Sequence, residues 1–313
     1  MTPPQPHSPR PGGPCSVRAE PKVFDRHVSG ARRAQGPSSF RPFVVSFPVR
    51  LLLAALAALW ALGMAIAASA AETCTLPPGK EPFEKRTVPL PGGAELALVW
   101  MPEKQMFLVE GVVAAVVFPE DHVEARVPVD GFWIGVCEVT QKQWESVMET
   151  NPSYFRGEEL SVASQRGALP VESVSWEDCA EFCRRTGLRL PTEMEWWRAR
   201  NATWADIGAA SWTSPDGGGR THPAGSAKKG TSILFDMNGN VCEWCADWFA
   251  PWPSDPSADF APPATGTERV VCGGCWCGDD WFSTRLRQDR LSLPPAARYN
   301  NLGFRVCLTP TPE

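Results

Sequence analysis

The stretch Phe235-Asp236-Met237-Asn238-Gly239-Asn240-Val241-Cys242-Glu243-Trp244 decides the fold of this chain. It combines turn-forming residues with an acid and a tryptophan, which indicates a tight turn that leads into a buried strand. Two later blocks, Gly273-Gly274-Cys275-Trp276 and Leu302-Gly303-Phe304-Arg305, repeat the pairing of glycine with an aromatic residue. An earlier block is Arg189-Leu190-Pro191-Thr192-Glu193-Met194-Glu195-Trp196. Generic globular sequence would rarely produce these blocks in this order, so together they indicate one particular fold.

The composition sets the limits of that fold. With 313 residues and 43% apolar content, the chain can bury a full core in one large domain plus extra segments. Its 14 tryptophans, 32 prolines and 26 glycines, against 2 tyrosines, predict a loop-rich domain held by aromatic packing. A net charge of −5 provides no basic field, so nucleic acid is excluded as an expected partner.

The N-terminal region predicts export. An apolar run from Leu51 to Ala67 follows Arg50 and ends in Ala68-Ser69-Ala70, the pattern of a secretory signal at 50–70 that is cleaved after Ala70. The alternative is an uncleaved N-terminal anchor, which would be the protein's contact with a membrane. Residues 1–49 are rich in Pro, Ser, Gly and Arg, which predicts a disordered leader or a misassigned start. In an exported protein, cysteines are read first as disulfide candidates.

The remaining chain predicts few helices and many short strands. Thr140 and Ser175 are N-caps for helices at Gln141–Glu149 and Trp176–Thr186, and Gly187 ends the second helix. Thr192 caps a third helix, because Glu195 follows three residues later in a capping-box pattern. Strands are predicted within 88–117, over 127–134, and between 233 and 308. This mixture is an α+β domain.

The blocks quoted above resemble the formylglycine-generating enzyme family, also called the sulfatase-modifying factor family. The resemblance spans residues 88–308, and it includes Glu138-Val139-Thr140, Asn151-Pro152-Ser153 and Val174-Ser175-Trp176 before the blocks already given. It implies a C-type-lectin-like α+β fold with short strands, few helices and long loops.

The resemblance also implies a calcium site at the turn that opens the decisive stretch. The matching positions are Asp236 and Glu243, with the carbonyl groups of Gly239 and Val241 as neutral ligands. Two carboxylates and turn carbonyls would suit a hard cation. The alternative is a tight turn in which Glu243 pairs with an arginine.

The family's copper chemistry is harder to place. In the family enzyme, two cysteines after the GG turn bind copper(I) and activate oxygen, and a substrate cysteine is oxidised to formylglycine. Counted without a gap from Gly273-Gly274, these positions fall on Gly278 and Ser283. Neither side chain provides a thiolate for a soft ion. Cys275 and Cys277 are nearby and share one face if they lie in a strand, so a shifted copper pair is conceivable.

The other cysteines leave several interpretations open. Cys242-x-x-Cys245 and Cys272-x-x-Cys275 have the spacing of a four-cysteine zinc site, whereas export favours disulfides or buried thiols. The family resemblance implies one structural disulfide, between Cys183 and Cys307, with the second cysteine offset by one residue.

A group of arginines in the C-terminal region predicts a ligand groove or a set of ion pairs. Its members are Arg285, Arg287, Arg290 and Arg298. A groove would bind an extended or anionic ligand, whereas the alternative is that the arginines pair with nearby acids.

Two functions follow from these features. The first is an exported binding or envelope-assembly protein for a protein or peptide ligand, whose recognition surface would lie between Cys277 and Tyr299. The second is a copper-dependent oxidase that uses Cys275 and Cys277 on an exported sulfatase carrying a Cys-x-Pro-x-Arg segment.

Overall fold

The computed structural model describes residues 74–109, 112–114, 123–158, 160, 163–202, 212–213, 217–227, 233–251, 261–277 and 290–311. All of them belong to one unit of the chain, Ser69–Glu313. The predicted leader at 1–49 and the predicted signal at 50–70 lie outside the described residues, as do Gly278, Ser283, Arg285 and Arg287.

The first sheet joins strands from both ends of the domain. Its strands are β1 (Lys85–Pro89), β2 (Glu95–Met101), β6 (Phe132–Gly135) and β11 (Cys307–Leu308), antiparallel in the order β1-β2-β6-β11. The turn between β1 and β2 requires Gly92, which has a φ of 78°. A Cβ atom at Gly92 would also lie 2.2 Å from the carbonyl oxygen of Ser146, so glycine is needed there for space as well.

The second sheet contains the decisive stretch. Its strands are β7 (Cys242–Trp248), β8 (Arg269–Cys272), β9 (Arg290–Leu293) and β10 (Leu302–Gly303), in the order β10-β7-β8-β9. β10 runs parallel to β7, and the other pairs are antiparallel. The register places Glu243 opposite Cys272 on one side and Gly303 on the other.

A third sheet corrects one sequence prediction. It consists of β3 (Lys104–Val109), β4 (Val112–Ala114) and β5 (Val123–Val129), in the order β4-β3-β5. The single strand predicted over 127–134 is therefore two strands, because β5 pairs with β3 whereas β6 pairs with β2 and β11. The chain changes sheet at Gly131, where a Cβ atom would lie 2.6 Å from the Trp100 ring.

Three of the four α-helices in the described residues begin where capping residues predict them, and the short helix Ala163–Gly167 was not predicted. The four are α1 (Gln141–Met148), α2 (Ala163–Gly167), α3 (Trp176–Thr186) and α4 (Glu193–Ala202). Thr140 and Ser175 each close a capping box, with Gln143 and Asp178 respectively. The Thr192 hydroxyl accepts from the Glu195 N–H at 3.2 Å, and the Glu195 carboxylate accepts from the Thr192 N–H at 2.8 Å. These contacts confirm the three predicted helix starts.

Aromatic side chains connect the helices to the sheets. Trp144 of α1 stacks on Phe182 of α3 with ring centroids 5.7 Å apart, and Phe304 meets both rings edge-on. Trp133, Trp196 and Trp244 are also buried. The expected aromatic packing is thus present. Among the described residues no helix is long and apolar enough to cross a membrane.

Candidate functional site

A buried ion pair lies at the centre of the decisive stretch. The Arg305 guanidinium donates from Nε to Glu243 Oε2 and from Nη2 to Glu243 Oε1, both at 2.6 Å. Trp196 Nε1 donates to Glu243 Oε2 at 2.7 Å. Arg305 also donates to the carbonyl groups of Gly135 and Phe235, at 3.1 and 3.0 Å. One guanidinium therefore connects β6, β7 and the turn before β7 to the segment that precedes β11.

Two further acids are buried beside this pair. The Glu138 carboxylate accepts from Asn240 Nδ2 at 3.1 Å and from the Val241 N–H at 3.3 Å. Asp236 Oδ2 accepts from the Gly225 N–H at 2.6 Å. Burial, together with the nearby carboxylates, raises the pKa of Asp236 to about 6 and the pKa of Glu138 well above its usual range. Burial therefore favours the protonated form of Glu138 and Asp236, whereas Arg305 balances the charge of Glu243.

Glu243, one of the residues that the resemblance implies as a calcium ligand, is also the partner of Arg305. Each Glu243 oxygen accepts one hydrogen bond from the guanidinium. Within the described ranges, no three His, Cys, Asp or Glu side chains are arranged to hold a metal ion, but the implied calcium site has only two acidic side chains and two backbone carbonyl groups. The alternative pairing of Glu243 with an arginine is present, and the calcium site at Asp236, Gly239, Val241 and Glu243 stays a prediction.

The cysteines near the GG turn divide into two groups, which excludes the four-cysteine zinc interpretation. Cys242 and Cys245 both lie in β7, three positions apart, so their side chains point to opposite faces. Cys242 packs in one core cluster with Cys275, whereas Cys245 packs in the other with Cys272. The four thiols cannot converge on one ion.

Cys275 and Cys277 are brought together just after the GG turn. Their Sγ atoms are 3.0 Å apart, and Asn301 Nδ2 donates to both, at 3.4 and 3.3 Å. Cys275 is buried, whereas Cys277 is half-buried. The neighbouring Cys242 thiol and burial raise the pKa of Cys275 to about 12, so its sulfur is protonated at neutral pH.

The two cysteines of the implied disulfide, Cys183 and Cys307, lie close enough for Cys183 to contribute to the pKa of Cys307, and the disulfide stays a prediction. Both residues are buried free thiols, in α3 and β11. They belong to different core clusters. Burial raises the pKa of Cys183 to about 12 and that of Cys307 well above its usual range, so neither sulfur is readily ionised.

The two described members of the arginine group each pair with an acid, which is the alternative interpretation of the group; the ligand groove stays a prediction. Arg290 forms an ion pair with Glu193 of α4, donates to the Ala250 carbonyl group at 2.8 Å and lies over the Phe249 ring. Arg298 forms an ion pair with Asp178 in the first turn of α3. In both cases the ion pair connects an arginine of the C-terminal region to an acid on a helix.

Exposed tyrosines lie beside the GG turn, and the sequence analysis did not identify them. Tyr154 is 69% exposed and Tyr299 is 50% exposed, and they are the two tyrosines of the whole chain. Tyr154 contacts the Phe155 ring edge-on, and Phe155 in turn contacts Trp276 edge-on at 5.4 Å. Trp276 Nε1 donates to the Asn300 carbonyl group at 3.2 Å, next to Tyr299. We call Tyr154, Phe155, Trp276 and Tyr299 the aromatic patch.

Glu172 holds the two ends of the aromatic patch together. Its carboxylate accepts from the Phe155 N–H and from the Ser173 hydroxyl, each at 2.7 Å. The Ser173 N–H donates to the Tyr299 carbonyl group at 2.9 Å. Burial raises the pKa of Glu172 to about 7. The scarcity of tyrosine in a tryptophan-rich chain was the signal that could have revealed this surface.

The fold and the site together define a class of protein. Few helices, short paired strands and long loops around a buried Glu–Arg pair describe a C-type-lectin-like domain of the formylglycine-generating-enzyme type. The solved structure of Treponema denticola variable protein 1 matches 72% of this chain and 99% of its own length, with a TM-score of 0.57 and 26% identity.

Sequence comparisons establish the family. The profile of the sulfatase-modifying factor enzyme 1-like domain matches residues 97–310, and the chain belongs to this family. A formylglycine-generating enzyme of Streptomyces coelicolor is 35% identical over 44% of this chain. The chaperone protein LppX of Paenibacillus barcinonensis is 28% identical over 58% of this chain and 80% of its own length. The match covers only 51% of the Streptomyces enzyme.

Proposed function

We propose that this chain is an exported peptide-binding module that uses the family fold without the family's copper chemistry. The observation that carries the proposal is that both tyrosines of the chain are exposed and that contacts connect each of them to Trp276, just after the GG turn. Tyrosine and tryptophan dominate binding surfaces because a large rigid ring with a polar atom binds well at low entropic cost. The patch also lies at both ends of the segment from Cys277 to Tyr299, where the sequence predicts recognition.

The chemistry of the cysteines supports a binding function over catalysis. Counted without a gap from Gly273-Gly274, the positions that the resemblance implies for the copper ligands fall on Gly278 and Ser283, which provide no soft ligand. Cys275 next to them has a pKa of about 12, so it is a poor nucleophile at neutral pH. Export rests on the predicted signal at 50–70. It would be supported if the protein recovered from the cell envelope had the intact mass of a chain that begins at Ala71.

The binding proposal is tested by selecting ligands from a phage-displayed library of random peptides against the full chain. We expect enriched peptides whose affinity drops at least tenfold in a variant with Tyr154→Ser and Tyr299→Ser, as is usual for aromatic hot spots. The control is Lys85→Ser, an exposed side chain in β1 outside the predicted recognition segment, which should leave the affinity unchanged. No enrichment, or equal binding by the double tyrosine variant, would overturn the proposal.

The convergence of Cys275 and Cys277 favours one competing function, the copper-dependent oxidase. Two sulfurs 3.0 Å apart could provide thiolate ligands to copper(I), which would supply oxygen activation when bound. The test is mass spectrometry of a Cys-x-Pro-x-Arg peptide incubated with the protein, copper and oxygen, with a known family enzyme in parallel. We expect no conversion to the aldehyde. Conversion that Cys277→Ser abolishes would replace the binding proposal with this one.

A further inference from the structure

We propose that Cys275 and Cys277 form a reversible dithiol–disulfide couple, and that its redox state changes the surroundings of Tyr299. The couple would regulate the aromatic patch, so this inference rests on the proposed function. Its substrate class is a low-molecular-weight disulfide such as glutathione disulfide.

The geometry places the two thiols ready to react. Their Sγ atoms are 3.0 Å apart, so an approach of about 1 Å gives the length of a disulfide bond. The side chain of Asn301 donates to both sulfurs and therefore holds them on the same side of the Trp276 backbone. Half-buried Cys277 offers the entry point, whereas Cys245 and Cys272 are fully buried and closed to an oxidant.

The reaction proceeds by two thiol–disulfide exchanges. Cys277 loses its proton to water and attacks one sulfur of the small disulfide, which forms a mixed disulfide and releases one small thiol. Cys275 then loses its proton and attacks the Cys277 sulfur, which releases the second small thiol. Two protein thiols are oxidised to one disulfide, and one small disulfide is reduced to two thiols. The high pKa of Cys275 makes the second exchange the slow one.

A short series of contacts connects the couple to the exposed surface. Asn301 contacts both sulfurs, and the preceding Asn300 accepts from the Trp276 indole at 3.2 Å. Tyr299 adjoins Asn300, and the Tyr299 carbonyl group accepts from the N–H groups of Ser173 and Leu302. Formation of the disulfide draws the two sulfurs about 1 Å closer together. Because Asn301 donates to both sulfurs, we expect it to shift with them and to change the surroundings of the adjoining Asn300 and Tyr299.

The first measurement is a titration of the full chain in glutathione redox buffers, followed by blocking of free thiols and peptide mapping. We expect an internal Cys275–Cys277 disulfide that becomes the major form in oxidised glutathione and disappears in excess reduced glutathione. Cys277→Ser should abolish it. Cys74→Ser, which changes another half-buried cysteine, should not. No Cys275–Cys277 disulfide at any buffer ratio, or preferential linkage to Cys242, would overturn the proposal.

The second measurement uses the two tyrosines as probes. In the NMR spectrum of protein isotope-labelled only at tyrosine, the two tyrosines give two sets of ring signals. The set that is missing from the spectrum of a Tyr154→Phe variant belongs to Tyr154. We expect oxidation to shift the Tyr299 signal in the unaltered chain and in Cys74→Ser, but not in Cys277→Ser. A disulfide that forms without moving the Tyr299 signal would refute the coupling. Neither measurement needs a peptide ligand. A negative result for the disulfide or for the Tyr299 signal can therefore be distinguished from a failure of the proposed peptide binding.

Discussion

At the scale of single residues, Arg305 determines whether the decisive stretch can be buried. Its side chain is the counter-ion of Glu243, and Glu138 and Asp236 lie close enough to alter one another's pKa values. A cation at this point lowers the cost of placing three carboxyl groups away from water. The planar guanidinium also forms two parallel bonds to one carboxylate, which a lysine could not do.

We expect Arg305→Met to lower the free energy of unfolding by about 3–5 kcal/mol, because it leaves Glu243 buried without its cation. Urea denaturation at pH 7 measures the change. The matched control is Arg184→Met, which removes an exposed arginine from an ion pair with Glu181 and should cost less than about 1 kcal/mol. If the two variants lose the same stability, the buried pair does not have the role assigned to it.

At the scale of secondary structure elements, the features that could be predicted from the sequence are those that depend on residues close together in the chain. Thr140, Ser175 and Thr192 begin helices because each hydroxyl binds an N–H three residues later, which can be recognised in a short window. The partner of Glu243 could not be chosen in this way, because Arg305 is 62 positions away. The zinc interpretation failed because CxxC spacing does not show whether a strand will place Cys242 and Cys245 on opposite faces.

At the C-terminal ends of α1 and α3, substitutions are expected to change the free energy of unfolding in opposite directions. Gly187 ends α3 with a φ of 73°, whereas Glu149 ends α1 in the same left-handed region with a φ of 59°. Glycine adopts this conformation without steric cost, and a residue with a Cβ atom does not. We expect Gly187→Ala to destabilise the domain by about 1 kcal/mol and Glu149→Gly to stabilise it by about 0.5–1 kcal/mol.

Thermal and urea unfolding of both variants measure these effects. Lys142→Ala, an exposed change in the first turn of α1, serves as the control and should remain within about 0.5 kcal/mol of the unaltered chain. A loss of stability in Glu149→Gly would show that the Glu149 side chain contributes more than its backbone costs.

At the scale of the whole molecule, buried carboxyl groups with raised pKa values link stability to pH. Asp236 and Glu172 have pKa values of about 6 and 7, and the pKa values of Glu138, Glu193 and Asp247 are also raised, with burial as the main cause. Each such group binds its proton more tightly in the folded state than in the unfolded state. Its contribution to stability is therefore complete below the unfolded pKa and is lost as pH rises through the folded pKa. Glu181, with a pKa of about 2, acts in the opposite sense, but it is exposed and screened by solvent.

We therefore expect the free energy of unfolding to fall as pH rises from about 5 to about 7, the upper part of the window that the Glu172 and Asp236 pKa values define. Glu172→Gln removes one titrating group while keeping acceptor and donor atoms at the same place. It should reduce this fall by on the order of 1–2 kcal/mol. Urea denaturation across the pH range measures the slope, and Glu177→Gln, an exposed acid in the first turn of α3, should leave it unchanged. An unaltered slope in Glu172→Gln would mean that Glu172 is ionised throughout the range. The link between the aromatic patch and folding would then depend on the hydrogen bonds of Glu172 and not on its proton.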